Sequence, residues 1–330
     1  MKKKFALVLF LLCSVVTLSA GNMFFKGLVQ NWFSFTDQKV NDSSAYGFTN
    51  KRLRLIPYGT FGENIKWAVH LAFDRGTINF YDVFIEYKFS DSFALKMGKF
   101  AAPGAISGGL TSSAALDLVE RTPITLRWNG FSGLHGFRAF GVQVHGKLMD
   151  SKIYYALMLA NPKATTYFTP SIKASSFKND EKGMALWGRL EAKPMEGLRV
   201  GAFFGSSTAT NSKNADIKRS SFGAHIFYNK SNINFKMEYI GGDSGGVEYN
   251  GMGVVFGYKL SKKFEPIVRY DFITPKKTSG GRYTNIGFGV NYWYSKNIKY
   301  QANYLLRSEE LVDVANNIFY VNFQYSFNNK

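Results

Sequence analysis

From about residue 23 onward, apolar residues alternate with small or polar ones at a period of two. Ile65, Trp67, Val69, Leu71 and Phe73 fall on one face, with Lys66, Ala68, His70 and Ala72 on the other. Tyr81, Val83, Ile85, Tyr87 and Phe89 stand against Asp82, Glu86 and Lys88. Phe319, Val321, Phe323, Tyr325 and Phe327 stand against Tyr320, Asn322, Gln324 and Ser326. This is the strand period. It predicts sixteen strands, starting near residues 23, 47, 64, 77, 93, 137, 151, 184, 197, 219, 232, 250, 263, 282, 297 and 317. Each runs to about 10–13 residues, which suits the ~9–11 that a tilted strand needs to cross a bilayer. A β-sandwich would alternate too, so the connections decide. Short turns such as Gly62-Glu63, Asp150 and Ser261-Lys262 alternate with longer loops at 37–46, 101–136, 161–183, 206–218, 241–249, 274–281 and 308–316, the connection around Gly76 being the one short exception. That alternation predicts an all-β protein, a 16-stranded antiparallel transmembrane β-barrel with both termini on the short-turn side. No linker interrupts residues 21–330, which read as a single domain.

Composition sharpens this picture. Lys2, Lys3 and Lys4 precede an apolar run from Phe5 to Val16, then small residues up to Ala20. Residues 1–20 read as a secretory signal peptide and take Cys13, the one cysteine, with them. No later apolar run approaches the ~20 residues of a membrane-spanning helix. Phe (31) and Tyr (19) outweigh the needs of a soluble core and suit aromatic girdles at membrane interfaces. The 41 basic residues less the three leader lysines leave 38 against 23 acidic. In an exported barrel such an excess points to a lumen that attracts anions, or to contact with anionic lipid headgroups, before nucleic acid. Sixteen strands leave an aqueous channel rather than a filled interior.

The longest connection, 101–136, contains Pro103-Gly104, Ser107-Gly108-Gly109 and a stretch from Ser113 to Val119 expected to be helical, with Ser112 or Ser113 as its cap. A loop of this length without function is uncommon. Its apolar residues (Ile106, Leu110, Ala114, Ala115, Leu116, Leu118) call for cover. The expectation is a constriction loop folded into the barrel.

Phe48-Thr49-Asn50-Lys51-Arg52-Leu53-Arg54-Leu55 resembles the basic second-strand motif of the phosphate-selective porin O and P family. Asp82 to Phe89, followed by Leu95-Lys96-Met97-Gly98-Lys99-Phe100, is similar to its paired strands leading into the third loop. Pro103-Gly104 and Leu118-Val119-Glu120-Arg121 resemble that loop's two ends. The resemblance covers residues 46–128 and extends beyond them only as a strand pattern. It implies a sixteen-stranded homotrimeric outer-membrane porin with an anion-selective pore lined by arginines and lysines.

The strand phase independently nominates a lining. With Leu53 and Leu55 on the lipid face, Arg52 and Arg54 face the lumen. The same logic points Lys66, Lys88, Lys96, Lys147, Arg189, Arg199, Lys236, Lys259, Arg269, Lys299 and Arg307 inward. A charge facing lipid at mid-bilayer would cost ~2–4 kcal/mol. Arg52 and Arg54, with Lys66 and Lys96, are expected to form a positive patch that Arg121 and Arg127 face across the lumen. Part of this charge would be paired with Asp82, Glu86, Glu191, Glu238 and Asp271. No base lies between Lys99 and Arg121, which favours a general anion preference over a dedicated phosphate site. Lys173, Lys178, Lys213, Lys218, Lys276 and Lys277 in the long loops would meet lipopolysaccharide. The four histidines have no metal-binding spacing. No dinucleotide or phosphate-loop motif calls for a cofactor, and Gly241 to Gly246 reads as a loop tip. A barrel hydrolase and a structural or adhesive surface protein are the competing classes.

Overall fold

The structure is a computed structural model. It describes residues 21–40, 43–74, 78–132, 134, 138–161, 182–210, 216–275, 281–311 and 316–330. The expected signal peptide lies outside the described residues. Sixteen strands follow one another: β1 (Gly21–Val40), β2 (Ser43–Phe61), β3 (Ile65–Ala72), β4 (Asn79–Lys88), β5 (Ala94–Phe100), β6 (Ala139–Leu148), β7 (Ile153–Ala160) and β8 (Lys182–Met195). Then come β9 (Leu198–Thr210), β10 (Asp216–Lys230), β11 (Ile233–Ser244), β12 (Val247–Tyr258), β13 (Phe264–Pro275), β14 (Tyr283–Trp293), β15 (Ile298–Glu309) and β16 (Ile318–Asn328). Each pairs antiparallel with its sequence neighbours, and β1 pairs with β16 to close the barrel. Closure satisfies the backbone without an aqueous partner, as a membrane requires. Gly21 pairs with Phe61 and Lys26 with Asn328, so both described ends lie at the short-turn rim.

The alternation places the strands well and the loops less well. β1 and β2 run through most of the expected 37–46 loop. The expected 241–249 loop contracts to Gly245-Gly246, both at positive φ (63° and 85°), while Gly241 to Ser244 belong to β11. Gly76 lies outside the described residues, as do the loop lysines except Lys218, which is on β10.

Outward positions are apolar and exposed, as at Val83, Ile85, Leu95, Met97, Phe256 and Phe288. Two irregularities break the period. Gln30 pairs with Arg52 but Asn31 pairs with Asn50, leaving Lys51 as an extra residue. Val69 pairs with Val83 but Leu71 pairs with Phe80, so Tyr81 and Asp82 together oppose His70. Such bulges re-aim side chains. The second corrects the reading of Tyr81 as lipid-facing: its ring lies 5.3 Å from that of His70, and its hydroxyl donates to Asp74 at 3.2 Å.

The third loop also differs from expectation. Ser113–Ala115 is a single 3-10 turn, with Ser112 Oγ accepting from Ala114 N at 3.3 Å. The regular helix comes later, as α1 (Pro123–Ser132), with proline at its first position, where no backbone N–H is needed. A π-helical turn covers Ile106–Leu110.

Candidate functional site

The loop between β5 and β6 crosses the lumen. A buried loop has no water for its backbone groups, so the barrel wall must serve them. Arg189 on β8 donates to Gly104 O (3.2 Å), and Gln30 on β1 donates to Ser113 O (3.2 Å). Lys299 on β15 serves Ala114 O (3.2 Å) and Leu116 O (3.1 Å). Gln301 serves Asp117 O (3.1 Å), and Arg269 on β13 serves Glu120 O (2.9 Å). In the other direction, Glu238 on β11 accepts from Ile106 N (2.6 Å), Ser107 N (3.1 Å) and Ser107 Oγ, and Asn303 accepts from Val119 N. Glycines on the wall make room: a Cβ on Gly287 or Gly289 would come within 2.6 Å of Leu118. Trp128 of α1, Trp187 of β8 and Phe203 of β9 pack beside Gly104, where a Cβ would meet both indole rings at 3.0 Å. Ile106, Leu116 and Leu118 are covered as expected, while Leu110 and Ala115 remain exposed.

The loop therefore takes up part of the lumen and leaves a passage lined from β1 (Lys26) through β2–β6 to β8 (Arg189), β9 (Arg199) and β11 (Lys236). A cavity of about 830 Å³ lies there. Its wall carries Arg54, His70, Asp82, Lys96, Gln143 and Lys147, and its loop side carries Gly109 to Ser113 and Arg121. Ten of its lining residues are lysine or arginine and two are acidic, so the walls hold a net positive charge. On its wall Arg54 donates to Ser113 Oγ at 2.8 Å and pairs with Asp74 at 3.0 Å. Arg138 pairs with Asp82 at 2.7 Å and donates to Gly109 O at 3.1 Å. Arg121 donates to the carbonyls of Ser107 (3.1 Å), Gly108 (2.7 Å) and Thr111 (2.7 Å), fastening the loop edge to itself. Burial, then the neighbouring Arg52, Arg138 and Arg54, pull the Arg121 guanidinium down to about 9. It remains charged at neutral pH, adding to the positive groups of Arg52, Arg54 and Arg138 around it.

Of the residues the sequence nominated, Arg54, Lys96, Arg121, Lys147 and Arg189 line this one cavity. Arg52 is 7% exposed and lies behind it, donating to Gln30 Oε1 at 2.6 Å over the ring of Trp32. Lys66 lines an adjoining space of about 350 Å³ and shares Glu86 with Lys96, at 3.6 Å and 3.0 Å. Lys88 stands apart, paired with Asp91 at 2.5 Å across the short β4–β5 turn. Arg127 does not face the patch either: α1 carries it over the ring of Tyr283 at 3.4 Å, beside a separate cavity of about 240 Å³ with Glu120 and Arg307. The expected pairing of Glu191 holds, with Arg189 at 2.5 Å and Arg199 at 3.7 Å, and Asp271 holds Arg269 at 3.0 Å. Glu238 instead binds loop amides, and Lys236 goes to Asp117 at 2.6 Å. Arg307 reaches Glu120 at 3.3 Å, and Lys259 sits at the β12–β13 turn.

Four members of the site were not foreseen. Arg138 closes the long loop at the foot of β6, where strand phase does not reach. Tyr81 lies between Arg54 (4.8 Å) and Arg138 (5.7 Å) because of the β4 bulge. Lys51 reaches the ring of Trp32 at 4.4 Å and Glu120 at 3.6 Å because of the β2 bulge. Asp74 lies just beyond β3. The basic run Lys51-Arg52-Leu53-Arg54 was the signal for Lys51, had a bulge been allowed.

The profile described as phosphate-selective porin O and P matches residues 28–228, more than half of the chain. No curated protein sequence matches. Among solved structures, the chain is similar to an anion-selective porin from Comamonas acidovorans (13% identity, TM-score 0.69, covering 93% of this chain and 100% of that one). It is also similar to a loop L8 deletion mutant of OmpT, an outer membrane protein of Vibrio cholerae (15% identity, TM-score 0.68, covering 94% and 100%). In-vitro folded OmpT in its trimer form is a further match (15% identity, TM-score 0.63, covering 94% and 100%). These likenesses carry the barrel fold, and the profile match over a barrel with this loop carries the family: the chain belongs to the phosphate-selective porin O and P family.

Proposed function

We propose that this outer-membrane barrel is a passive diffusion channel for small anions, with Arg54, Arg121 and Arg138 forming the selective constriction and Arg52 adding its field from behind. The ten-to-two excess of basic over acidic residues around the passage carries this reading. Fixed positive charge between low-dielectric walls concentrates anions and excludes cations. Arg54 and Arg138 are each held by a carboxylate, and Arg121 spends its donors on backbone carbonyls. Those engagements favour a general anion preference, with phosphate and other oxyanions among the solutes, over one tight phosphate site. Among the described residues, the lumen histidines His70, His145 and His225 each pair with a carboxylate (Asp82, Glu86 and Glu191) that is shared with Arg138, Lys96 or Arg189. The family resemblance supports a homotrimer, and residues 1–20 serve as the signal peptide. No cofactor is called for. The test is reversal potential across a planar bilayer in a potassium chloride gradient: an anion preference is expected, and a cation preference in the pure protein rules the reading out.

A further inference from the structure

We infer that the lumen wall toward the short-turn end of β1 to β4 carries a subsite for an aromatic carboxylate, a small aryl ring bearing one anionic group. The interior of an open transmembrane barrel is expected to be polar. Here it is not. Phe24 pairs with Tyr58, Lys26 with Ile56, Tyr58 with Ala68 and Ala68 with Phe84. Residues directly opposite one another share a face of the sheet. That face is the lumen, because Lys26, Ile56 and Phe84 also line the main passage. Apolar lumen residues elsewhere, such as Ile267 and Leu305, are buried with Leu118 under the third loop. Phe24, Ile56 and Tyr58 are only partly buried and line the open recess of about 350 Å³ beside Lys66. Uncovered apolar surface of this kind marks a binding groove, and the volume falls within the ~300–1,000 Å³ of ligand pockets.

Charge in the recess points to an anion. The rings of Phe24 and Tyr58 lie 5.6 Å apart, and Lys26 Nζ stands 4.4 Å from the centroid of the Tyr58 ring. Lys26 is exposed and has no carboxylate partner among the described residues. The two carboxylates that line the recess are already taken. Asp82 holds Arg138 at 2.7 Å and His70 at 2.9 Å, and Glu86 holds Lys96 at 3.0 Å, His145 at 3.2 Å and Lys66 at 3.6 Å. An unpaired ammonium beside an aromatic shelf suits an anion with an apolar body. Chloride or phosphate would meet Lys26 and leave the rings wet, whereas an aryl carboxylate answers both. Ring against ring also favours an aryl group over an aliphatic one of similar size, because a positive ring edge meets a negative ring face. The recess shares Lys26, Ile56, His70, Asp82 and Phe84 with the main passage, so a solute drawn in by the basic lining reaches it. The subsite rests on the anion-channel reading and narrows its class of solute.

The experiment uses the whole barrel in lipid nanodiscs, with benzoate as the probe and cyclohexanecarboxylate and acetate as comparisons. Saturation transfer from protein to probe protons is followed by NMR through a titration, and empty nanodiscs supply the blank. Benzoate is expected to bind several-fold more tightly than cyclohexanecarboxylate, and acetate more weakly than either. Phe24→Leu combined with Tyr58→Leu should weaken benzoate several-fold and remove its advantage over cyclohexanecarboxylate. Lys26→Gln should weaken both. Equal affinity for benzoate and cyclohexanecarboxylate in the unaltered protein overturns the inference, and that comparison does not depend on any variant folding. So does a benzoate affinity that the two leucines leave unchanged. Reversal potential in potassium chloride remains the separate test of the channel, so an anion-selective pore with no preference for benzoate sinks the subsite alone.

Discussion

Arg54 of the barrel wall and Arg121 of the loop both donate to the same hydroxyl, Ser113 Oγ, at 2.8 Å and 3.3 Å. A hydroxyl accepts from both and neutralises neither. Arg54 differs from its strand neighbour Arg52 in its other engagements. Arg54 lies 3.0 Å from Asp74 and lines the passage, whereas Arg52, two residues away, binds the neutral Gln30 from a buried position. Arg54→Ala should therefore lower the chloride-to-potassium permeability ratio several-fold, because it removes a cation and strengthens the field of Asp74. Arg52→Ala should lower it less, and the double change most. Reversal potentials at low salt give the order; equal effects of the two single changes would contradict it.

The carboxylates give the opposite sign. Asp82 holds Arg138 at 2.7 Å and His70 at 2.9 Å. Asp82→Asn keeps the shape and removes the charge, so anion preference should rise. The measurement is again the permeability ratio, and a fall would mean that Asp82 serves chiefly to position Arg138.

If selectivity is a field effect, it must fade with screening. The Debye length falls from about 10 Å at 0.1 M to about 3 Å at 1 M salt. The permeability ratio of the wild-type pore should drop toward unity over that range. A ratio independent of salt would point to direct ion coordination by the guanidinium groups instead.

The strands were legible because burial repeats every second residue, and on an outer face made of Phe, Tyr, Leu and Val that period is hard to miss. The loop's inward course was legible from Ile106, Leu116 and Leu118, which need cover. Tyr81 was misplaced and Lys51 passed over because a bulge shifts the phase by one residue without altering composition, and alternation carries no mark of it. Arg127 was misassigned because α1 begins at Pro123, after the stretch expected to be helical, and turns that side chain toward Tyr283. The uses of Lys299, Arg269 and Glu238 were invisible for another reason. They answer the backbone of a loop far away in sequence, so their charge reads as lining when it serves as anchorage.

Arg269 and Asp271 form a pair 3.0 Å apart, with Asp271 fully buried and Arg269 nearly so. Removing one partner of such a pair leaves a charge without compensation, at a cost of about 3–5 kcal/mol. Asp271→Ala should lower the denaturant midpoint accordingly. Asp271→Ala combined with Arg269→Met should recover part of the loss, though not all, since Arg269 also supports Glu120 O. Guanidinium unfolding in detergent, followed by tryptophan fluorescence, reports both. A double variant less stable than the single one would place the role of Arg269 in the loop bond rather than in the ion pair.

Among the described residues, Glu238 is the wall side chain that anchors the loop edge at residues 106 and 107, taking Ile106 N, Ser107 N and Ser107 Oγ on its two carboxylate oxygens. Ile106 is buried, so its N–H has no ready water to turn to once the carboxylate is gone. A buried donor left unmet costs about 1–3 kcal/mol. Glu238→Ala should destabilise the barrel by roughly that amount per N–H lost. Glu238→Gln keeps one carbonyl acceptor and should cost less. The functional consequence follows from position, since Ile106 and residues 109 to 113 lie on the loop side of the passage. A loosened edge should make single-channel current noisier and the mean conductance larger, with ion preference little changed because Glu238, unlike Asp82, does not line the passage. The alanine variant should show both effects more strongly than the glutamine variant. Quiet channels of unchanged conductance in Glu238→Ala would show that Arg121, through its bonds to Gly108 and Thr111, holds the edge without help from the wall.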